Sequence, residues 1–178
     1  MNPDEKRRHF IFWTAAAAGL VADLVSKSLV FDWLKSVELT ERTVISGFLA
    51  LRQDENTGTF FSLLRDSNEW LIVFTVVMMA AVIGMFLAPP KELRLPGKGR
   101  LYALALGLVL AGAAGNLWDR AWYGHVRDFL SCGFGAHRWP TFNLADAWLT
   151  LGIIAYLIAS LRAAREEPPA PAGKGPAR

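Results

Sequence analysis

Cysteine is almost missing from this chain: Cys132 stands alone in 178 residues, which excludes any internal disulfide and any cysteine-based zinc site. Histidine is nearly as scarce. His9, His125 and His137 do not show the spacing of metal ligands, so no metal and no other cofactor is expected. A strong excess of one charge is absent too: Lys and Arg number 19 against 16 Asp and Glu, a net +3. That is too mild to argue for nucleic acid. What is present in quantity is apolar sequence, 53% of the chain, together with 7 Trp. It is clustered rather than spread.

A helix needs about 20 predominantly apolar residues to cross the hydrocarbon core of a bilayer. Four stretches meet that length. Residues 70–88 and 101–118 carry no Asp, Glu, Lys or Arg; 142–161 carries only Asp146; 10–31 carries Asp23 and Lys27. A cleavable signal peptide is the alternative for the first, with Lys6, Arg7 and Arg8 as its basic region and 10–22 as its apolar core. Apolar sequence resumes beyond Asp23 and Lys27, however, and no clean cleavage site precedes Asp23. The expected fold class is therefore membrane all-α, a single four-span domain over residues 1–165. A Pro-, Ala- and Gly-rich tail at 166–178 is expected to be disordered.

Basic residues set the orientation. Lys6, Arg7 and Arg8 precede the first span, Lys91, Arg94, Lys98 and Arg100 crowd the 89–100 loop, and Arg162 and Arg165 close the last span. In 32–69, by contrast, Lys35, Arg42, Arg52 and Arg65 are diluted among seven acids. Both termini and the 89–100 loop are thus expected in the cytoplasm, with 32–69 and 119–141 outside. Residues 43–51 and 59–64 are rich in β-branched and aromatic side chains, with the turn signal Asn56-Thr57-Gly58 between them. They predict a small extracytoplasmic β element between helices 1 and 2.

Ionisable residues in a span are costly and face a bundle interior or a wet cavity. Ala15, Gly19, Asp23 and Lys27 recur every fourth residue on one helix face, where Asp23 and Lys27 pair as a structural ion pair. Gly107, Ala111 and Gly115 form a second small-residue stripe leading to Asp119, and Gly112 and Asn116 a third leading to Arg120. Asp119 and Arg120 are expected to pair at the outer interface. Asn143 and Asp146 share a face at the start of the fourth span, and Asp146 lies about 6 Å below Phe142 at helical rise. Asp128, in the preceding outer segment, is then expected to meet Asp146 near one depth. Two carboxylates in a poorly solvated place do not both ionise readily, so one holds a proton while the other acts as base. That is the chemistry of an aspartic peptidase. A four-span transporter would instead carry its charges at the midplane, with access from both sides.

Five blocks in order, Asp23 with Lys27, Asn56-Thr57-Gly58-Thr59-Phe60-Phe61-Ser62, Gly115-Asn116-Leu117-Trp118-Asp119-Arg120, Gly124-His125-Val126-Arg127-Asp128-Phe129 and Phe142-Asn143-Leu144-Ala145-Asp146, resemble the bacterial lipoprotein signal peptidase (signal peptidase II) family. The resemblance implies a metal-free aspartic endopeptidase of the bacterial cytoplasmic (inner) membrane. It implies that diacylglyceryl-modified prolipoproteins are cut just before the lipidated cysteine, by a monomer in contact with membrane lipid. By motif position the catalytic pair is Asp128 and Asp146, and Asn56, Gly58, Asn116, Asp119, Arg120 and Asn143 fall at supporting or substrate-binding positions. Two departures stand out. Phe60 occupies a position where the family usually has Ala, and Arg127 one where an apolar residue usually precedes the aspartate. A cation beside Asp128 is expected to favour its ionised form.

Overall fold

In a computed structural model the described residues are 1–58, 68–94, 99–134 and 137–165. Phe60, the strand expected at 59–64 and the tail at 166–178 lie outside them. The elements run α1 (Pro3–Ser36), β1 (Glu41–Ile45), β2 (Leu49–Asn56), α2 (Asn68–Leu87), a 3-10 turn (Lys91–Arg94), α3 (Gly99–Tyr123), β3 (Val126–Phe134), β4 (His137–Arg138) and α4 (Leu144–Arg165). All four α-helices are long and apolar enough to cross a membrane.

α1 outruns the apolar stretch that predicts it at both ends. Asn2 caps it by accepting from the Glu5 N–H at 2.8 Å, the Glu5 carboxylate answers on the Asn2 N–H, and Pro3 opens the first turn. At 34 residues it is about 50 Å long, so it projects beyond a hydrocarbon core of about 30 Å.

α3 is the most buried helix, and each of the other three packs against it. Small residues make this possible. The stripes of α1 and α3 face each other, and a Cβ on Gly19 would lie 2.8 Å from Cβ of Ala111. A Cβ on Gly112 would collide with the backbone carbonyl of Ala145, so α3 and α4 touch backbone to backbone at the first turn of α4. A Cβ on Gly115 would collide with the carboxylate of Asp23. Glycine there makes room for a buried charge.

The interior has two ends of opposite character. Around the N-terminal half of α1 it is dry: Phe12 stacks on Phe86 at 3.9 Å, among Tyr102, Leu106, Leu110 and Ala159. Around the C-terminal half it is polar, with Asp23, Lys27, Asn116, Asp119, Asp128 and Asn143 all buried. Large apolar side chains such as Phe10, Val25, Phe74, Ile153 and Leu157 cover the outside, as lipid contact requires.

The sheet differs from the sequence expectation in two respects. The apolar run 43–51 is not one strand: Phe48 N–H closes a turn on the Ile45 carbonyl at 3.0 Å, and Gly47 takes φ +72°. An L side chain rarely adopts that conformation, so the run folds into the β1–β2 hairpin. The sheet is also not confined to the segment between helices 1 and 2. It is antiparallel in the order β1-β2-β3-β4, so the segment before α4 supplies two strands. β3 pairs with β2 from Leu49↔Cys132 to Asn56↔Val126, and Leu130 bridges to Phe142. That pairing sets Asp128 on the sheet beside the entry to α4.

Candidate active site

Asp128 comes from β3 and is 2% exposed. Two amides hold its carboxylate: Asn143 Nδ2 donates to Oδ1 at 2.7 Å and Asn56 Nδ2 to Oδ2 at 3.0 Å. Asn56 is itself fixed at the end of β2, where its Oδ1 accepts from the Gly58 N–H at 2.9 Å. Gly58 takes φ +95° there, a conformation suited to glycine. The turn expected at Asn56-Thr57-Gly58 is thus the device that aims Asn56 at Asp128.

Asp146 comes from the first turn of α4. Asn143 caps that helix, its Oδ1 accepting from the Asp146 N–H at 3.0 Å, while Asp146 Oδ2 accepts from the Asn143 N–H at 3.3 Å. This reciprocal arrangement satisfies donors that a helix start leaves open. Asp146 Oδ1 accepts from Asn116 Nδ2 of α3 at 2.8 Å. Asn143 therefore grips both carboxylates, one through its side chain and the other through its backbone.

Behind this pair lies a buried ion cluster. Lys27 Nζ meets Asp23 Oδ2 at 2.7 Å, Asp119 Oδ2 at 3.2 Å and Asn116 Oδ1 at 3.1 Å, with its side chain wholly enclosed. Asp23 Oδ1 accepts from the Ala145 N–H at 2.8 Å, tying α1 to the start of α4. Asp119 does not pair with Arg120 as the sequence suggests. It takes Arg127 instead, with Nη2 at 2.9 Å and Nε at 3.2 Å from Oδ1 and the Arg127 N–H at 3.0 Å from Oδ2. Helical geometry explains the difference, because adjacent residues do not face each other on a helix. Arg120 donates weakly to the Asn116 carbonyl at 3.5 Å.

Arg127 does not stand against Asp128 as the sequence suggests, for a similar reason. Neighbours along a strand point to opposite faces, so its guanidinium lies away from Asp128, 4.3 Å over the Tyr123 ring and 3.4 Å from Ser28 Oγ. Burial, rather than a neighbouring cation, dominates at Asp128. It pushes the carboxyl up to about 7, aided by the charge of Asp146 and opposed by the hydrogen bonds from Asn56 and Asn143 and the charge of Lys27.

Sequence reasoning missed Arg127 as a member of the ion cluster. The charge count did not reveal it: Asp23 and Asp119 are two acids at membrane depth against one Lys27, and Arg120, adjacent to Asp119 in sequence, already offered the second cation. It also missed Thr141, whose hydroxyl donates to Asp54 Oδ2 at 2.5 Å and fastens the entry of α4 to β2.

The model of the family described as signal peptidase (SPase) II, peptidase family A8, matches residues 15–162. A lipoprotein signal peptidase of Dehalococcoides mccartyi is 40% identical over 153 residues, covering 83% of this chain and 86% of that protein. One from Maridesulfovibrio salexigens is 36% identical, covering 85% and 95%. One from Francisella tularensis subsp. novicida is 35% identical, covering 88% and 92%. A bacterial membrane enzyme solved by the in meso method at 2.3 Å superposes with a TM-score of 0.68 at 25% identity, over 89% of this chain and 92% of that one. The chain belongs to the signal peptidase II family.

Proposed function

We propose that this chain removes the signal peptide from prolipoproteins, hydrolysing the bond before the diacylglyceryl-bearing cysteine with Asp128 and Asp146 as the catalytic pair. The observation that carries the reading is the joint hold of Asn143 on the two carboxylates, at the buried polar end of the bundle. Asp128 keeps its proton to about pH 7 and polarises the scissile carbonyl. Asp146, as the base of the pair, takes a proton from the attacking water. The tetrahedral intermediate then collapses as the C–N bond breaks, and the proton collected by Asp146 passes to the departing amine. Asn56, Asn116 and Asn143 fix the carboxylates, and Arg120 is placed to counter charge that develops at the pair. The protein works as a monomer in the bacterial inner membrane, with lipid around its apolar flanks.

Lipid on the substrate cysteine anchors the scissile bond at interface depth, where the carboxylates sit, and positioning of that kind lowers the barrier. The purified protein should therefore cut a diacylglyceryl-modified prolipoprotein at least about 100-fold faster than its unlipidated precursor. Equal rates on a gel would mark a general peptidase.

Both termini and the 89–100 loop lie in the cytoplasm in this reading, supported by the crowding of Lys and Arg there. In a Cys132→Ser background, Ser46→Cys should react with an impermeant thiol reagent in whole cells and Lys91→Cys should not. The reverse pattern would invert the orientation.

A further inference from the structure

We propose that Arg127 is a positioning residue for cleavage: by neutralising Asp119 it frees Lys27 to hold Asn116, which in turn holds Asp146. The inference deepens the reading above and rests on it.

Asp23, Lys27 and Asp119 are fully buried, and Arg127 is 7% exposed. Two acids thus balance two bases where water does not reach. Lys27 Nζ donates to Asn116 Oδ1 and lies at ion-pair distance from Asp23 Oδ2 and Asp119 Oδ2. The ammonium is free to point at Asn116 because Arg127 satisfies Asp119 Oδ1 with two N–H groups and shares Oδ2 through its backbone. Asn116 Oδ1 receives Lys27 Nζ and Asn143 Nδ2, each at 3.1 Å. With the carbonyl end so occupied, the amide end faces Asp146.

Without the guanidinium, Asp119 Oδ1 is left without a donor in a closed site. An unpartnered buried carboxylate is strongly disfavoured, and the ammonium of Lys27 is the nearest donor able to move. Its turn toward Asp119 takes it from Asn116. The groups around Arg127 offer no substitute. From α1 there is Ser28, from α3 Asp119 and the Tyr123 ring, and Glu55, its cross-strand partner on β2, turns to His125 at 3.7 Å. Asp128 itself is faced by Asn56 on β2, Asn143 and Asp146 at α4, and the charge of Lys27 on α1.

Arg127→Gln tests this with the lipidated prolipoprotein as substrate. The expected result is a loss of about 10-fold or more in kcat with KM within about twofold, since the defect lies in the reacting groups rather than in binding. The cluster then carries a net negative charge near the pair, which disfavours ionised carboxylates. Both limbs of the pH–rate profile should move up by about half a pH unit or more. Arg127→Lys restores the charge and should return the limbs to their wild-type positions. Where Arg127→Gln alone fails to fold, the double variant Asp119→Asn/Arg127→Gln keeps an amide pair and the charge balance, and should place the limbs as in wild type. A wild-type kcat with superimposable profiles for Arg127→Gln would overturn the proposal, even at a lowered melting temperature. So would displaced limbs in the charge-balanced double variant. Asp128→Asn in the same assay separates the two readings: its turnover would remove the catalytic pair, whereas a normal Arg127→Gln beside an inactive Asp128→Asn removes the positioning role alone.

Discussion

Asp128→Asn and Asp146→Asn are each expected to abolish cleavage, by about 1,000-fold or more, in protein that still inserts and folds. Asn preserves the shape of the side chain, and its carbonyl still accepts from Asn56, Asn143 or Asn116. What it lacks is the capacity to take or give a proton. Because the carboxyls act as one unit, the double variant should be hardly worse than either single one. The pH dependence of the wild type follows from the same geometry. Asp128 holds its proton to about pH 7 because it is buried, so the rate should fall as pH rises through about 7, an apparent value that belongs to the pair. Stability carries the matching sign. A carboxyl raised in the folded state contributes stability that is fully present below the unfolded value of 3.8 and is lost as pH rises through about 7. The melting temperature of Asp128→Asn relative to wild type should therefore climb between pH 4 and pH 8. A gap that stays constant over that range would place Asp128 in a wetter site than the one described.

Lys27→Met should damage folding more than any substitution at Asp128 or Asp146. The ammonium is wholly enclosed and is the direct ionic partner of both Asp23 and Asp119. Its removal leaves two acids against Arg127 alone, and breaking a buried pair in this way costs about 3–5 kcal/mol. The methionine fills much of the volume and satisfies neither carboxylate. Yield and thermal melting in detergent measure the effect. Asp23→Asn should be milder, because Lys27 keeps Asp119 and the new amide can still accept from the Ala145 N–H. Equal melting of Lys27→Met and wild type would mean that the cluster is solvated rather than closed.

The helices were legible in the sequence because a bilayer allows few alternatives. About 20 predominantly apolar residues with at most two charges are long enough to span it, and four such stretches gave the four helices. The polar residues were legible for the complementary reason, since Asp23, Lys27, Asn116, Asp128 and Asp146 stand out against apolar surroundings. Partner choice was harder to read. Asp119 and Arg120 are adjacent in sequence, yet adjacent side chains diverge on a helix, and the true partner, Arg127, becomes a neighbour only when α3 turns back into β3. The β element was half legible. Residues 43–51 read as one apolar run because the turn at Gly47 carries a single weak signal, and 126–134 did not read as a strand because Arg127 and Asp128 interrupt its apolar pattern. Both are buried through long-range contacts that local periodicity does not encode.

In this reading Asp128, and not the nearby carboxylate Asp119, is the partner of Asp146. One side-by-side measurement decides it: turnover of a diacylglyceryl-modified prolipoprotein by purified Asp128→Asn and Asp119→Asn, each with its melting temperature. Asp119 lies in the ion cluster, held by Lys27 and Arg127, whereas Asp128 is held by the same Asn143 that caps Asp146. The expected result is an inactive, well-folded Asp128→Asn beside an Asp119→Asn that keeps partial turnover and melts lower. A well-folded but inactive Asp119→Asn, with substantial turnover by Asp128→Asn, would contradict the account and move the catalytic pair to Asp119 and Asp146.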